Sequence, residues 1–404
     1  MPKIIYPALQ HTTDFFELYQ YICGISEIPS EYHFWSSLSI VAALAEDHIW
    51  FEKFKGEKLY PNLYMILVGP SGLGKGGAIS QAIRVADSAV YVNRYRGKLT
   101  YAHLIDKLGK ASKDEWGRLV IANPRLFLVA DELRNSVGTN QQLVTELIAL
   151  LTELYTASGY TLQTGTRTHG SIDITNPVVN CLFGSTEDWL RFVITKDIAQ
   201  SGFTARTCFV FGKYDFEKKC PRIIYPDDYE EVYEHIKWRL WMMQNIRGRC
   251  VMTSKAEALE DEWYITRPNP SEEALYSTWK RNHDLMLKFA MLMSLADKGD
   301  LVICHRHLKN AKDMVDVVNG HTMKLIEMAN ETWETKPSND IIDYIKEKGT
   351  VKHSDALRYF RTKKGMNASR FKAAVWDLKQ EGLVEFGKSK TGGVVYTLAM
   401  RGRF

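Results

Sequence analysis

Five consecutive apolar residues, Tyr64-Met65-Ile66-Leu67-Val68, run straight into GPSGLGKGG (residues 69–77), and a helix-forming stretch follows from near Ala78. Few folds accommodate that order. The apolar run is short and reads as a strand buried on both faces. The glycines let successive backbone N–H groups face one anion, and the helix start adds its positive end. Strand, glycine-rich loop and helix together predict a phosphate cradle within a parallel α/β sheet. Gly69, Pro70, Ser71, Gly72, Gly74, Lys75, Gly76 and Gly77 are the candidate ATP-binding residues, with Lys75 reaching the β- and γ-phosphates. The spacing GxxxxGK is met by Gly69, Gly74 and Lys75, but Gly76 stands where a Ser or Thr hydroxyl ordinarily reaches Mg²⁺. Gly77 offers no hydroxyl either. The alternative is a glycine-rich turn between sheet and helix.

A second apolar run, Leu126–Ala130, ends in Asp131-Glu132. Beside a phosphate loop, Asp131 is the candidate Mg²⁺ ligand and Glu132 the general base that polarises the attacking water. A strand expected at Val90–Val92 lies between the two motifs, which points to the P-loop division that includes RecA-like and AAA+ ATPases. A third buried strand, Pro177–Phe183, leads to Ser185 and Thr186. Either residue can position the lytic water or sense the γ-phosphate, or they simply cap a helix. Before it, residues 160–174 alternate as a β-hairpin with Arg167 and His169 near the tip, a candidate DNA-gripping element or an ordinary exposed hairpin. Arg206 precedes a strand at Cys208–Phe211, where it can serve as an arginine finger for a neighbouring subunit or as a surface ion pair.

The chain has 404 residues, which implies two or three domains. Apolar residues make up 45% and charged residues 25%, so disordered, collagenous and coiled-coil classes are excluded. No apolar run is long enough to span a membrane, and the first residues lack a secretory pattern. The six cysteines are scattered without a CxxC pair, which fits a reducing, cytoplasmic setting. The expected organisation is a helical region at 1–58, an ATPase core at 59–212, a helical lid at 213–335 and a basic module at 337–404. Within the first part, Phe15, Phe16, Leu18, Tyr19 and Ile22 make one apolar face, and a second helix is expected at Trp35–Ala45. Helices are expected at 229–244, 254–264, 272–297 and 306–330, with Glu331–Ser338 as a linker.

The terminal module holds 14 Lys+Arg against 7 Asp+Glu, a balance of +7 on a chain whose net charge is +4. Two short helices are expected at 339–348 and 354–362, and a third from Asn367. Phe371, Ala374, Val375 and Leu378 share one face of that third helix. Arg370 and Lys372 lie opposite, and a hairpin of 383–386 and 394–398 carries Lys388 and Lys390 at its turn. Three helices and a basic hairpin resemble a winged helix, a fold that binds DNA or docks proteins; the charge favours duplex DNA.

The stretches YPNLYMILVGPSGLGKGG, VADEL, NPVVNCLFGST and GFTARTCFVF resemble helicase-like P-loop proteins of phages and mobile elements, the helicase part of primase–helicases. They are also similar to AAA+ replicative helicases of the minichromosome-maintenance type. The resemblance covers residues 14–330 and implies a lid arginine that senses nucleotide, for which Arg281 is the candidate. It also implies a homo-oligomeric, six-membered ring with single-stranded DNA in its pore, and primase or other replication proteins as partners. Ala205-Arg206-Thr207 departs from the family's Ser-Arg-Phe finger motif, so only the arginine carries over. The expected function is an ATP-dependent DNA helicase or translocase. A DNA-binding loader or assembly switch with weak hydrolysis is the alternative, and Gly76 leans toward it.

Overall fold

The computed structural model describes residues 14–109, 112–113, 119–120, 123–156, 161–166, 170–194, 202–218, 220, 222–270, 275–334, 336–364, 366, 368–380, 382–388 and 392–399. These divide into two compact units, Met1–Lys324 and Leu325–Phe404.

The first unit opens with α1 (Phe15–Cys23), whose Asp14 carboxylate accepts from the backbone N–H groups of Phe16 and Glu17 at 2.8 and 3.2 Å. That cap stabilises the helix by roughly 1 kcal/mol. The five residues read as one apolar face are all buried. Helix α2 (Ser30–Ala45) begins a turn earlier than expected, directly after Pro29, and is buried almost all round. Helical reading of the next stretch does not hold. β1 (Ile49–Phe54) and β2 (Glu57–Leu59) form a hairpin about Gly56, and β1 pairs in parallel with β12 (Gly248–Met252). β13 (Val302–Ile303) completes that four-stranded sheet, so the segment expected to be all helix contributes two of its strands.

The second sheet holds β3 (Tyr64–Val68), β4 (Arg94–Tyr95), β7 (Arg125–Ala130), β10 (Val178–Ser185) and β11 (Thr207–Phe211). Its order is β11-β3-β10-β7-β4, and every pairing is parallel. The strand expected at Val90–Val92 is displaced. Val90 and Val92 turn into the core, and pairing begins only where Phe127 N–H donates to Asn93 O at 2.9 Å. α3 (Lys75–Asp87) follows β3 and starts three residues earlier than expected. The remaining elements between the strands are α4 (Tyr101–Gly109), β5 (Ser112–Lys113), β6 (Leu119–Val120), α5 (Leu133–Val137), α6 (Gln141–Thr156), the hairpin β8 (Thr161–Thr166) and β9 (Gly170–Thr175), and α7 (Glu187–Val193). The hairpin lies where the alternation placed it; Arg167 and His169 lie outside the described residues. Helices α8 (Tyr229–Asn245), α9 (Ser254–Thr266), α10 (Tyr276–Asp297) and α11 (His305–Glu334) follow. One hydrophobic core runs from Phe15 to Val318 and draws on the early helices, the sheet and the later helices together.

The second unit contains α12 (Lys336–Lys348), β14 (Val351–Lys352), α13 (His353–Lys364), α14 (Ala368–Gln380), β15 (Val384–Lys388) and β16 (Val394–Leu398). The linker read at Glu331–Ser338 is instead helical on both sides of residue 335. Pro337 is tolerated there because the first turn of a helix has no use for its missing N–H. The sheet order is β14-β16-β15, all antiparallel, and β14 escaped the sequence reading because it is two residues long. Phe371, Ala374, Val375 and Leu378 are buried against Ile341, Phe360 and Tyr396, as their spacing requires. No helix among the described residues is long and apolar enough to cross a membrane.

Candidate functional site

The glycine-rich loop bridges β3 and α3. Gly74 ends it in the left-handed region, at φ +91°, so the chain can turn into the helix at Lys75. A Cβ at Gly74 would also stand 2.7 Å from Ile28 Cγ1, in the loop between α1 and α2. Glycine is thus required there for conformation and for space. Pro70, Ser71 and Gly72 form the exposed tip. Lys75 is 5% exposed, and its ammonium donates to Gly69 O at 2.7 Å and Pro70 O at 2.8 Å. Its cation is therefore held over the loop by the loop's own carbonyls. Burial lowers its pKa, and the nearby Glu132 charge opposes that shift.

β10 lies between β3 and β7, which brings the third strand's end beside the loop. Gly69 N–H donates to Ser185 O at 3.2 Å. Gly184 has no room for a side chain: its Cβ would stand 2.3 Å from Asp131 O. Lys75, Asp131, Glu132, Ser185 and Thr186 are thereby gathered at the C-terminal ends of three adjacent strands. Glu132 is partly buried, and burial raises its pKa while Lys75 pulls it down. Asp131 Oδ1 and Glu132 Oε1 are buried without a hydrogen-bond partner. Carboxylate oxygens left this way fit a cation or an activated water better than a structural role. Asp131 Oδ2 accepts from Arg96, an ion pair that nothing in the sequence pattern announced. Position 76 faces this carboxylate, since a Cβ there would lie 3.4 Å from Asp131 Cβ, an ordinary contact. The residues present therefore fit Mg²⁺ through Asp131, with Gly76 contributing no oxygen.

Ser185 is fully buried and its hydroxyl donates to Thr186 O at 3.3 Å. Thr186 caps α7, its hydroxyl accepting from Trp189 N–H at 3.4 Å. A cleft of about 770 Å³ opens beside them, lined by Pro70, Ser71, Arg134, Thr139, Thr186 and Glu187. Arg134 and Thr139 were missed because single polar residues after a strand carry no pattern.

Two candidates lie elsewhere. Arg206 sits before β11, whose Thr207 pairs with Tyr64, whereas the loop follows Val68 at the far end of that strand. At about 3.3 Å per residue the two ends are roughly 15 Å apart. Arg206 donates to Gly202 O at 2.8 Å. Arg281, expected in the nucleotide site, is also at the strand-start end, where its charge bears on Tyr155 and Lys288. Lys288 of α10 bonds Asn62, two residues before β3, so this helix meets the strand-start end rather than the loop.

Lys288 makes that contact. Its buried ammonium donates to Asn62 O and Oδ1 at 3.0 and 2.7 Å and lies 3.9 Å from the Tyr155 ring centroid. Burial pushes its pKa down to about 7 from an ordinary 10.5. Between those values the unfolded chain binds the extra proton, so stability rises with pH; below about pH 7 both states are protonated and the dependence vanishes. Lys288→Met is expected to remove this slope. Denaturant unfolding across the window checks it, and equal slopes for variant and wild type would sink the assignment.

In the second unit Lys372 and Lys388 are exposed, Arg370 lies on α14, and Lys390 is outside the described residues. Trp376, 54% exposed on the same helix, joins them, with Lys379 Nζ 5.1 Å above its ring. In the first unit, Glu46, Asp47 and His48 are close enough to share an ion, but Arg125 already engages both oxygens of Asp47.

No protein-family model matches the sequence, and no curated protein matches it. Among solved structures, a full-length MCM homolog from Methanopyrus kandleri is similar over 78% of this chain and 64% of its own length, with 12% identity and a TM-score of 0.44. The chain thus matches less than two thirds of that protein. A likeness at this level assigns no residue a role.

Proposed function

We propose that this chain is an ATP-hydrolysing, ring-forming enzyme that moves on DNA, a helicase or translocase of phage or mobile-element replication. The observation that carries the reading is the meeting of Lys75, Asp131 and Glu132 at adjacent strand ends, with one oxygen of each carboxylate uncommitted. The sheet order supports the P-loop division with an additional strand, since β10 separates β3 from β7 and β4 adds an edge. ATP binding would draw Lys75 from the carbonyls of Gly69 and Pro70 onto the phosphate oxygens. Glu132 would accept a proton from the attacking water at Oε1, with Thr186 and Ser185 flanking the γ-phosphate. Mg²⁺ on Asp131 would neutralise charge on the β- and γ-phosphates.

Arg206 is too far from its own loop to act there, so the finger role requires a neighbouring subunit, which favours a closed ring, expected to be a hexamer. Arg281 shares that end of the sheet and would face the same neighbour. The second unit's order of helix, strand, two helices and hairpin fits a winged helix, with Lys372 and Lys388 toward duplex DNA. The hairpin β8–β9 would reach single-stranded DNA in the pore. Particle images with ATP and single-stranded DNA, beside a fork-unwinding assay, test the whole. Six-fold rings with DNA inside and ATP-driven unwinding are expected.

A loader or assembly switch is the second reading, and two observations favour it: glycine at 76, and Arg96 seated on the Asp131 carboxylate. It takes over if ATP governs assembly on DNA while forks of neither polarity open. Both features bear on magnesium. Arg96→Ala frees an Asp131 oxygen, and Gly76→Thr adds a hydroxyl toward the same carboxylate. Each is expected to lower the Mg²⁺ concentration that half-activates phosphate release. A magnesium titration unchanged in both folded variants would count against the assignment of Asp131.

A further inference from the structure

The proposed triphosphate site has two sides. Asp131, Glu132 and Ser185 end β7 and β10, on one side of β3, and β11 lies on the other. A nucleoside triphosphate is a chain with its reactive phosphate at one end. With that end at the acids, the nucleoside leaves the loop on the side away from them.

The chain leaving β11 carries Tyr214 and Phe216 there. Their rings stack with centroids 5.6 Å apart and planes 25° from parallel, yet they are 50% and 78% exposed. The Tyr214 hydroxyl lies 3.8 Å from the point a Cβ on Gly72 would occupy, at the loop's tip. The segment is tied at both ends. Gly212 N–H donates to Val68 O and to the Tyr32 hydroxyl, both at 3.2 Å, and Tyr32 donates to Val68 O at 2.6 Å. Further on, Lys218 Nζ donates to Gly24 O at 2.6 Å, and the Cys220 thiol to Ile25 O at 3.3 Å. The same stretch presents Ile28 to Gly74 and Gly77. Two open aromatic faces are thus fixed against the phosphate loop, opposite its acids.

We infer that Tyr214 and Phe216 form the stacking platform for the nucleobase. The inference rests on the nucleotide-binding reading of the loop. Every base has a π-face, so such a platform favours nucleotides over bare polyphosphate without selecting one base.

Equilibrium binding of ATP and of inorganic tripolyphosphate separates the two ideas. Tyr214→Ala/Phe216→Ala is expected to weaken ATP about 5- to 150-fold, the range for loss of a stacked base, and to leave tripolyphosphate unchanged. Lys75→Ala weakens both. Phe216→Trp retains ATP binding, and ATP, but not tripolyphosphate, quenches more indole fluorescence than in the wild type. Unchanged ATP binding in the double variant, with Lys75→Ala still impaired, overturns the platform and leaves the phosphate cradle standing. Equal loss of both probes in the double variant also overturns it, because the rings then only shape the loop. Failure of the folded wild type to bind either probe overturns the cradle and the platform with it.

Discussion

Glu132→Gln is expected to bind ATP as the wild type does and to release phosphate about 10²–10⁴-fold more slowly, the usual contribution of a general base. Glutamine keeps the shape and the position before α5 but cannot take a proton. Burial holds the Glu132 pKa above its ordinary value, which strengthens it as a base, while Lys75 limits the shift. Lys75→Ala is the companion variant and should lose ATP binding, since the charge aimed at the phosphates is gone. That ammonium also braces Gly69 and Pro70, so thermal unfolding of Lys75→Ala is measured beside binding. Phosphate release by Glu132→Gln at the wild-type rate would falsify the catalytic assignment.

Arg206→Ala should bind ATP normally and lose turnover by about 10³–10⁵-fold, the scale of arginine fingers in phosphoryl transfer. The large effect is expected because, on the proposed reading, the charge would act on the transferring phosphoryl group of a neighbouring subunit. Mixing Arg206→Ala with Glu132→Gln should restore part of the activity, because one kind of interface then holds both intact groups. Mixed rings with no recovery would make Arg206 a structural residue, its role ending at the Gly202 carbonyl. The test needs mixed assembly shown directly, for example by co-purification on two tags.

Much of the candidate site was legible in the chain because its signals are local. The apolar runs at 64–68 and 126–130, the loop between Gly69 and Gly77 and the acids at 131 and 132 each occupy consecutive positions. Strand, turn and helix start are decided within a few residues by side-chain branching, glycine and capping. The periodic face of α14 was legible for the same reason: Phe371, Ala374, Val375 and Leu378 need only the pitch of one helix.

What lies far apart in sequence was not legible. β1 has a local hairpin partner in β2, but its place inside a four-stranded sheet depends on β12, about two hundred residues later. Arg281 lies near Tyr155 and Lys288 rather than Lys75, and Lys288 meets Asn62, a contact between residues 226 positions apart that no local pattern announces. Arg96 and the Tyr214–Phe216 pair follow strands whose places in the sheet are settled by packing, so their approach to Asp131 and Gly72 has no local signature. The sequence by itself determined a phosphate-type loop, two acids and a compact basic module at the end. Only the tertiary structure decided which strands lie side by side, and therefore which charges meet.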